Sequence, residues 1–519
     1  MLKLLYNRCF PSKLKENTSQ QQFHIIVLSF SLWCLFAHGI TLTNKFSFHD
    51  DIFLFHSGTA YSSGRWFLGF LSCIRKAFML GDVSLPLFNG VIGFTYLLCA
   101  TLLVFSILNL KSNLSCIMLP GVFCTFPVIT AILGYNFTFP YYLFALFLSA
   151  LSVFLLSQNG LAAFISSIIL AACSVGIYQA FIPFTVSLLL LQLLVYTINN
   201  DELSPRRILC LTAKRLFFCV CFISLYLVIN SIVLHILHLE LSDYQNISSI
   251  QNDSIITYIL RAKSAYREYI YPLDIRSRSL NSMFFGSMRP IYYVVVILIA
   301  VSTLIILFEK RRNGILYLLF LSVLFCFLPV AINFIIVMCE DANIHSLMLY
   351  SQCLVFAIPL VLYEHTKQLK NKWFSILLSI ILFTVNLSYC KYDNACYLKA
   401  ELTQQRTIEY FSTLVAKIKC TPGYNDDYPV LWINAEAISD KSLVAIQPLS
   451  QIRTIPYSDA DELVNTYSWR TFLSYWCAYS PNTIESSPEI ETSAQVRSMP
   501  HYPDDGSIAV IDDTVVVKF

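Results

Sequence analysis

Long apolar runs separated by short polar connections dominate the chain. Runs of about 18 or more apolar residues are long enough to cross a lipid hydrocarbon core as helices. They fall near 24–44, 84–110, 115–134, 139–157, 161–182, 183–198, 216–238, 290–308, 314–337, 346–364 and 373–391. The pattern predicts an all-α polytopic membrane protein of about eleven transmembrane helices. The weakest pair meets at Pro183, where the second run is short and also reads as half of a broken helix. Beyond the last run the pattern changes. An amphipathic stretch from Leu398 to Ile418 precedes strand-like runs at Val430 to Ile433, Ile508 to Ile511 and Thr514 to Phe519, with Pro, Asp and Asn in the turns. A small C-terminal α/β domain is expected there. The resulting division is a 1–23 N-terminal segment, a 24–391 membrane domain with large loops at 45–82 and 239–289, and a 392–519 C-terminal domain.

Composition agrees with lipid as the solvent. The 519 residues are 56% hydrophobic and only 13% charged, about half the charge of a soluble chain. A net charge of +3 with no basic stripe among aromatics excludes a nucleic-acid partner. Most cysteines lie inside apolar runs and no C-x-x-C pair occurs, so only Cys390, Cys396, Cys420 and Cys477 are placed to bridge in an oxidising compartment.

Basic residues set the orientation. With a cytoplasmic N-terminus, the inner connections hold Lys3, Arg8, Lys13, Lys15, Lys111, Arg206, Arg207, Lys214, Arg215, Lys310, Arg311, Arg312, Lys367, Lys370 and Lys372. The outer loops are longer and poorer in Lys and Arg, as the positive-inside rule requires. The first run is too long for a signal-peptide core and lacks a small-residue cleavage site, so it is read as a retained anchor. Both large loops and the C-terminal domain are then expected outside.

Candidate chemistry clusters on that outer side. Phe48-His49-Asp50-Asp51 stands where the first span ends, and Ser63-Gly64-Arg65 follows. Two carboxylates just past a helix C-terminus meet the negative end of its dipole, so helix stability does not account for them. Glu340 and Asp341 occupy a short outer loop and form a second candidate acid pair. Tyr178 and Gln179 are polar groups where lipid is expected, so they should face the bundle interior as interhelical glue or as substrate contacts. Arg267 and Arg289 lie in or beside the second large loop. His235, His238 and Glu240 offer no third fixed metal ligand. Asp459-Ala460-Asp461 after Ser458 reads as a helix cap rather than a nucleotide-sugar metal site. No metal is expected.

Three stretches resemble the serotype-converting O-antigen glucosyltransferases of Gram-negative bacteria and their phages. They are Asp50-Asp51 with Ser63-Gly64-Arg65, then Ile177-Tyr178-Gln179-Ala180, then Met499-Pro500-His501-Tyr502-Pro503-Asp504-Asp505-Gly506-Ser507-Ile508 with the closing Val515-Val516-Val517-Lys518-Phe519. The resemblance implies a GT-C type enzyme of the bacterial inner membrane. Such an enzyme takes a sugar, here glucose, from undecaprenyl phosphate and adds it with inversion to lipid-linked O-antigen on the periplasmic face. It implies no cofactor, catalytic acids at Asp50 and Asp51, and substrate contacts among His49, Gly64, Arg65, Tyr178 and Gln179; Arg267, Arg289, Glu340 and Asp341 are added as candidate substrate contacts from their loop positions alone. A donor-synthesising transferase and a small flippase are the implied partners. Two other classes fit less well. A transporter of lipid-linked sugars would place ionisable groups at mid-membrane, whereas here they sit in loops. An O-antigen polymerase or ligase would use Arg261, Arg267, Arg276 and Arg278, but leaves the acidic pair unexplained.

Overall fold

The computed structural model describes residues 18–46, 49–52, 55–56, 60–78, 82–242, 254–271, 288–339, 344–435, 464 and 468–519. Glu340 and Asp341 lie outside the described residues, as do Ser458, Asp459 and Asp461. The chain divides into two units, one of Met1–Asn44 with Phe55–Asn394 and one of Lys45–Leu54 with Ala395–Phe519.

The first unit is helical. In chain order it contains α1 (Gln20–Thr43), the strand β1 (Phe55–His56), α2 (Trp66–Phe78), the strand β2 (Asp82–Val83), α3 (Pro86–Ile107), α4 (Asn113–Thr125), α5 (Val128–Leu133), α6 (Phe139–Leu156), α7 (Leu161–Ile177) and α8 (Ile182–Asn199). It continues with α9 (Pro205–Ile236), α10 (Ile255–Ile270), α11 (Met288–Glu309), α12 (Ile315–Ile332), α13 (Phe334–Met338), α14 (Leu354–His365) and α15 (Lys372–Lys419), whose last part belongs to the second unit. Among the described residues, eight helices are long and apolar enough to cross a membrane.

The remaining apolar runs are helical but broken or short. The 115–134 run ends as α4 at Phe126, ahead of Pro127, and resumes as α5. The 346–364 run begins as tight single turns before α14. Between 161 and 198 the break falls at Tyr178, not at Pro183 as the sequence suggested. Tyr178 is extended (φ −156°), whereas Pro183 sits in the first turn of α8. Proline is well suited there, because its fixed φ is already helical and the missing N–H would have had no partner.

Within the bundle α3 packs on α6, α6 on α7, α1 on α4 and α8 on α12. The apolar stretch of α8 is 83% buried and that of α9 only 11%, so α8 is central and α9 faces the lipid. Polar side chains stitch the helix ends. Glu364 accepts from the Ser112 N–H (2.7 Å) and the Ser115 hydroxyl (2.7 Å), satisfying the exposed donors at the start of α4.

The amphipathic 398–418 stretch is not a separate helix. No Pro or Gly interrupts residues 392–397, so the last span continues unbroken to Lys419. The second unit also holds β3 (Val430–Ile433), α16 (Trp469–Cys477), β4 (Thr483–Ile484), the short helices α17 (Pro488–Glu491) and α18 (Ala494–Ser498), and the strands β5 (Ile508–Ile511) and β6 (Thr514–Lys518). Its sheet runs β4-β3-β6-β5, with β3 parallel to both neighbours and β5 antiparallel to β6. Asp512 and Asp513 both take positive φ (47° and 54°), the two-residue geometry that matches the twist of a tight hairpin.

Phe411, Leu414, Trp469, Val515, Val517 and Phe519 form the core of this unit, and Ile52 belongs to the same cluster. Truncation after Gly506 would remove a central strand bearing three fully buried valines and Phe519. At about 1.5–3 kcal/mol for each large apolar side chain, the loss exceeds what a small domain tolerates. The truncated protein should fall sharply in abundance on a membrane immunoblot. Full abundance with no activity would instead assign the strand a direct part in the reaction.

Candidate functional site

In the first unit a turn at Tyr61–Gly64 leads into α2. The Gly64 N–H donates to the Tyr61 carbonyl and the Arg65 N–H to the Ala60 carbonyl, both at 3.0 Å. Gly64 takes φ +72°, and a Cβ there would lie 2.8 Å from Tyr226 Oη and 2.9 Å from Gln179 Nε2. Glycine is required on both counts, conformation and space.

The same two side chains hold the turn. Gln179 Nε2 donates to the Ser63 carbonyl and to Tyr226 Oη, each at 3.0 Å. Tyr226 Oη in turn donates to the Gly64 carbonyl at 3.0 Å. The extended backbone at Tyr178 sets the two adjacent side chains to different tasks. Gln179 grips the turn, while Tyr178 lies under the guanidinium of Arg65, 4.9 Å from the ring centroid. Tyr142, from the first turn of α6, stacks on Tyr178 (4.6 Å, 12° between planes) and lies 3.3 Å from Arg65 Nη1. Close packing locks the base of α2 against α7. A Cβ on Gly176 would meet the Trp66 ring at 2.6 Å.

Two stretches more than a hundred residues apart, Ser63-Gly64-Arg65 and Tyr178-Gln179, are thus one cluster. It presents a planar cation over an aromatic pair, an arrangement suited to a phosphate that needs two directed donors. Sequence reasoning missed Tyr142 and Tyr226. Tyr226 had a signal: it stands one helical turn from Asn230, and two polar residues on one face of an otherwise apolar helix mark an inward-facing stripe. Asn230 is buried, its side-chain oxygen has no hydrogen-bond partner among the described residues, and it lies beside Gly64. Gly64→Ala should reduce activity at least tenfold, since a strained backbone alone costs about 1–3 kcal/mol, whereas Ser63→Ala, which keeps the bonded carbonyl, should be nearly neutral. Normal activity in Gly64→Ala would show that the turn can move without consequence.

The acidic pair occupies a 3₁₀ turn, His49–Ile52, in the second unit. Asp51 is fully buried and ion-paired with Lys45, which also lies 3.4 Å from the Asp51 carbonyl. Ile52 is fully buried in the tail core. Asp50 is half-buried. His49 is described in its backbone alone. Asp51 is thus engaged by a cation, and Asp50 stands on a turn whose next two residues, Asp51 and Ile52, are fully buried.

Arg267 is half-buried on α10, which packs on α12 and α13, and Arg289 is exposed in the first turn of α11. Among the described residues no group of three His, Cys, Asp or Glu is placed to hold a metal. The family model described as glucosyl transferase GtrII matches residues 39–356, more than half of the chain. No curated protein and no solved structure matches it.

Proposed function

The chain belongs to the glucosyl transferase GtrII family and is a membrane glycosyltransferase, and on that premise we propose that it moves glucose from a polyprenyl phosphate to lipid-linked O-antigen with inversion. An acceptor hydroxyl attacks the anomeric carbon from the side opposite the phosphate. The new C–O bond forms as the bond to phosphate breaks, and the hydroxyl proton passes to Asp50. The electron pair leaves on the polyprenyl phosphate, whose growing charge Arg65 meets.

The observation that carries this reading is the Arg65 cluster. Its turn is fixed by a left-handed glycine and two side-chain donors, which makes it a preorganised cation, and preorganised charge at a leaving group is a large part of transferase catalysis. Asp50 suits the base because a general base must be positioned yet reachable, while Asp51 is engaged by Lys45.

The wider arrangement is proposed on the same footing. All eleven apolar runs cross the inner membrane, the N-terminus is cytoplasmic, and residues 392–519 lie in the periplasm. A reporter active only in the periplasm, fused after Phe519, should be active. Activity of a cytoplasm-only reporter at that position would reverse the arrangement. For the chemistry, purified protein in vesicles with undecaprenyl-phosphate-glucose and a lipid-linked O-antigen acceptor should release undecaprenyl phosphate, with chelator present, at an undiminished rate. No release with that donor, but transfer from a nucleotide sugar, would overturn the donor assignment.

A further inference from the structure

The basic residues at the start of α9 do more than mark a membrane side. Arg207, Leu211, Lys214 and Arg215 recur at helical spacing on one face, and together they line a cavity of about 370 Å³. Arg215 turns inward, with Nη2 donating to Gln192 Oε1 at 2.9 Å and Nη1 to the Leu211 carbonyl at 3.1 Å. Lys214 Nζ reaches the Leu156 carbonyl at 2.9 Å, closing the end of α6. Three cations thus share one cavity, and among the described residues no carboxylate lines it. Of the acids near it along the chain, Asp201 is engaged with Lys310 and Asn313 and Glu202 is exposed, while Glu364 is engaged with Ser112 and Ser115. Like charges gathered in a partly desolvated site favour a bound anion.

The position of the cavity narrows the choice of anion. Helices that build the Arg65 cluster reach the cavity with their opposite ends, from Tyr142 to Leu156 along α6 and from Tyr226 to Arg207 along α9. At 1.5 Å per residue these spans are on the order of 20–30 Å, a hydrocarbon thickness. The two sites therefore sit at opposite faces of the membrane. Close along the chain to the cavity, Leu161, Leu209, Leu216 and Phe217 are exposed apolar side chains, a surface for an acyl chain rather than for water.

We propose that this cavity binds the phosphate headgroup of an anionic phospholipid, in the leaflet opposite to Arg65. The proposal rests on the membrane bundle and is independent of the transferase reading.

The test is thermal unfolding of the full detergent-purified chain during titration with phosphatidylglycerol, phosphatidylcholine or inorganic phosphate. Phosphatidylglycerol should raise the unfolding temperature, and the other two should not. With Arg207→Gln and Lys214→Gln combined, half-maximal shift should need at least about tenfold more phosphatidylglycerol, while Arg207→Lys should keep the response. An equal response to phosphatidylcholine, or an unchanged response in the double variant, would overturn the proposal. An equal response to inorganic phosphate would make this a site for a soluble anion and overturn the lipid assignment. Should the double variant fail to purify, native mass spectrometry of Arg207→Gln supplies the comparison. Fewer retained phosphatidylglycerol molecules than wild type support the site, and equal numbers contradict it.

Discussion

Asp50→Asn should lower glucosyl transfer by about 10²–10⁴, the usual worth of a general base, and leave the amount of membrane protein unchanged. An acceptor hydroxyl is a poor nucleophile at neutral pH, so the attacking oxygen must lose its proton as the new bond forms. An amide keeps the shape of the carboxylate but cannot take that proton. The neighbouring acid should behave differently. Asp51 is buried against Lys45, and removing one partner of a buried ion pair costs on the order of a few kcal/mol because the other charge is left behind. Asp51→Asn should therefore lower abundance and activity together. The pair is read by assaying each variant per unit of membrane protein. Near-normal specific activity in Asp50→Asn would remove the base assignment.

Arg65→Lys should reduce turnover about 10–100-fold while the protein remains in the membrane. Lysine keeps the charge but loses the planar fork that meets two phosphate oxygens together. Hydrogen bonds to charged groups are worth about 1.5–3 kcal/mol, and each 1.36 kcal/mol in the barrier is about tenfold in rate. Lysine also fits the Tyr178 face less well than a stacked guanidinium. Tyr142→Phe, which removes only the hydroxyl 3.3 Å from Arg65 Nη1, should have a smaller effect. A fully active lysine variant would reduce Arg65 to an anchor for lipid headgroups.

Much of this was legible in the sequence, and the rest was hidden for identifiable reasons. Each apolar run is helical because hydrophobic length is a strong local signal. The break at Tyr178 was misplaced because proline, the strongest visible punctuation, is also a favoured first-turn residue. The β5–β6 hairpin pairs as two strand-like runs flanking an Asp512-Asp513 turn predict. The full length of α15 was missed, since polarity changes near Lys391 while nothing stops the backbone there.

Within the site, Arg65, Gly64, Tyr178 and Gln179 could be singled out, but not their union through Tyr226 and Tyr142: the polar stripe of Tyr226 and Asn230 marks an inward face without naming what it meets, and Tyr142 lies in a run of aromatic residues that gives no such mark. The grouping of Lys45–Leu54 with the C-terminal unit was equally invisible. It depends on Ile52, with Phe46 packed against the same cluster, finding the core built by Phe411, Trp469 and Phe519.

The central claim is transfer of a glucosyl branch onto O-antigen. It is tested most directly by expressing the chain in a host that makes a defined O-antigen and measuring the mass of the repeat unit. The account predicts a gain of one hexose per modified repeat, absent in the Asp50→Asn host at equal protein level. An unchanged repeat mass with an altered distribution of chain lengths would contradict it and point to polymerisation instead.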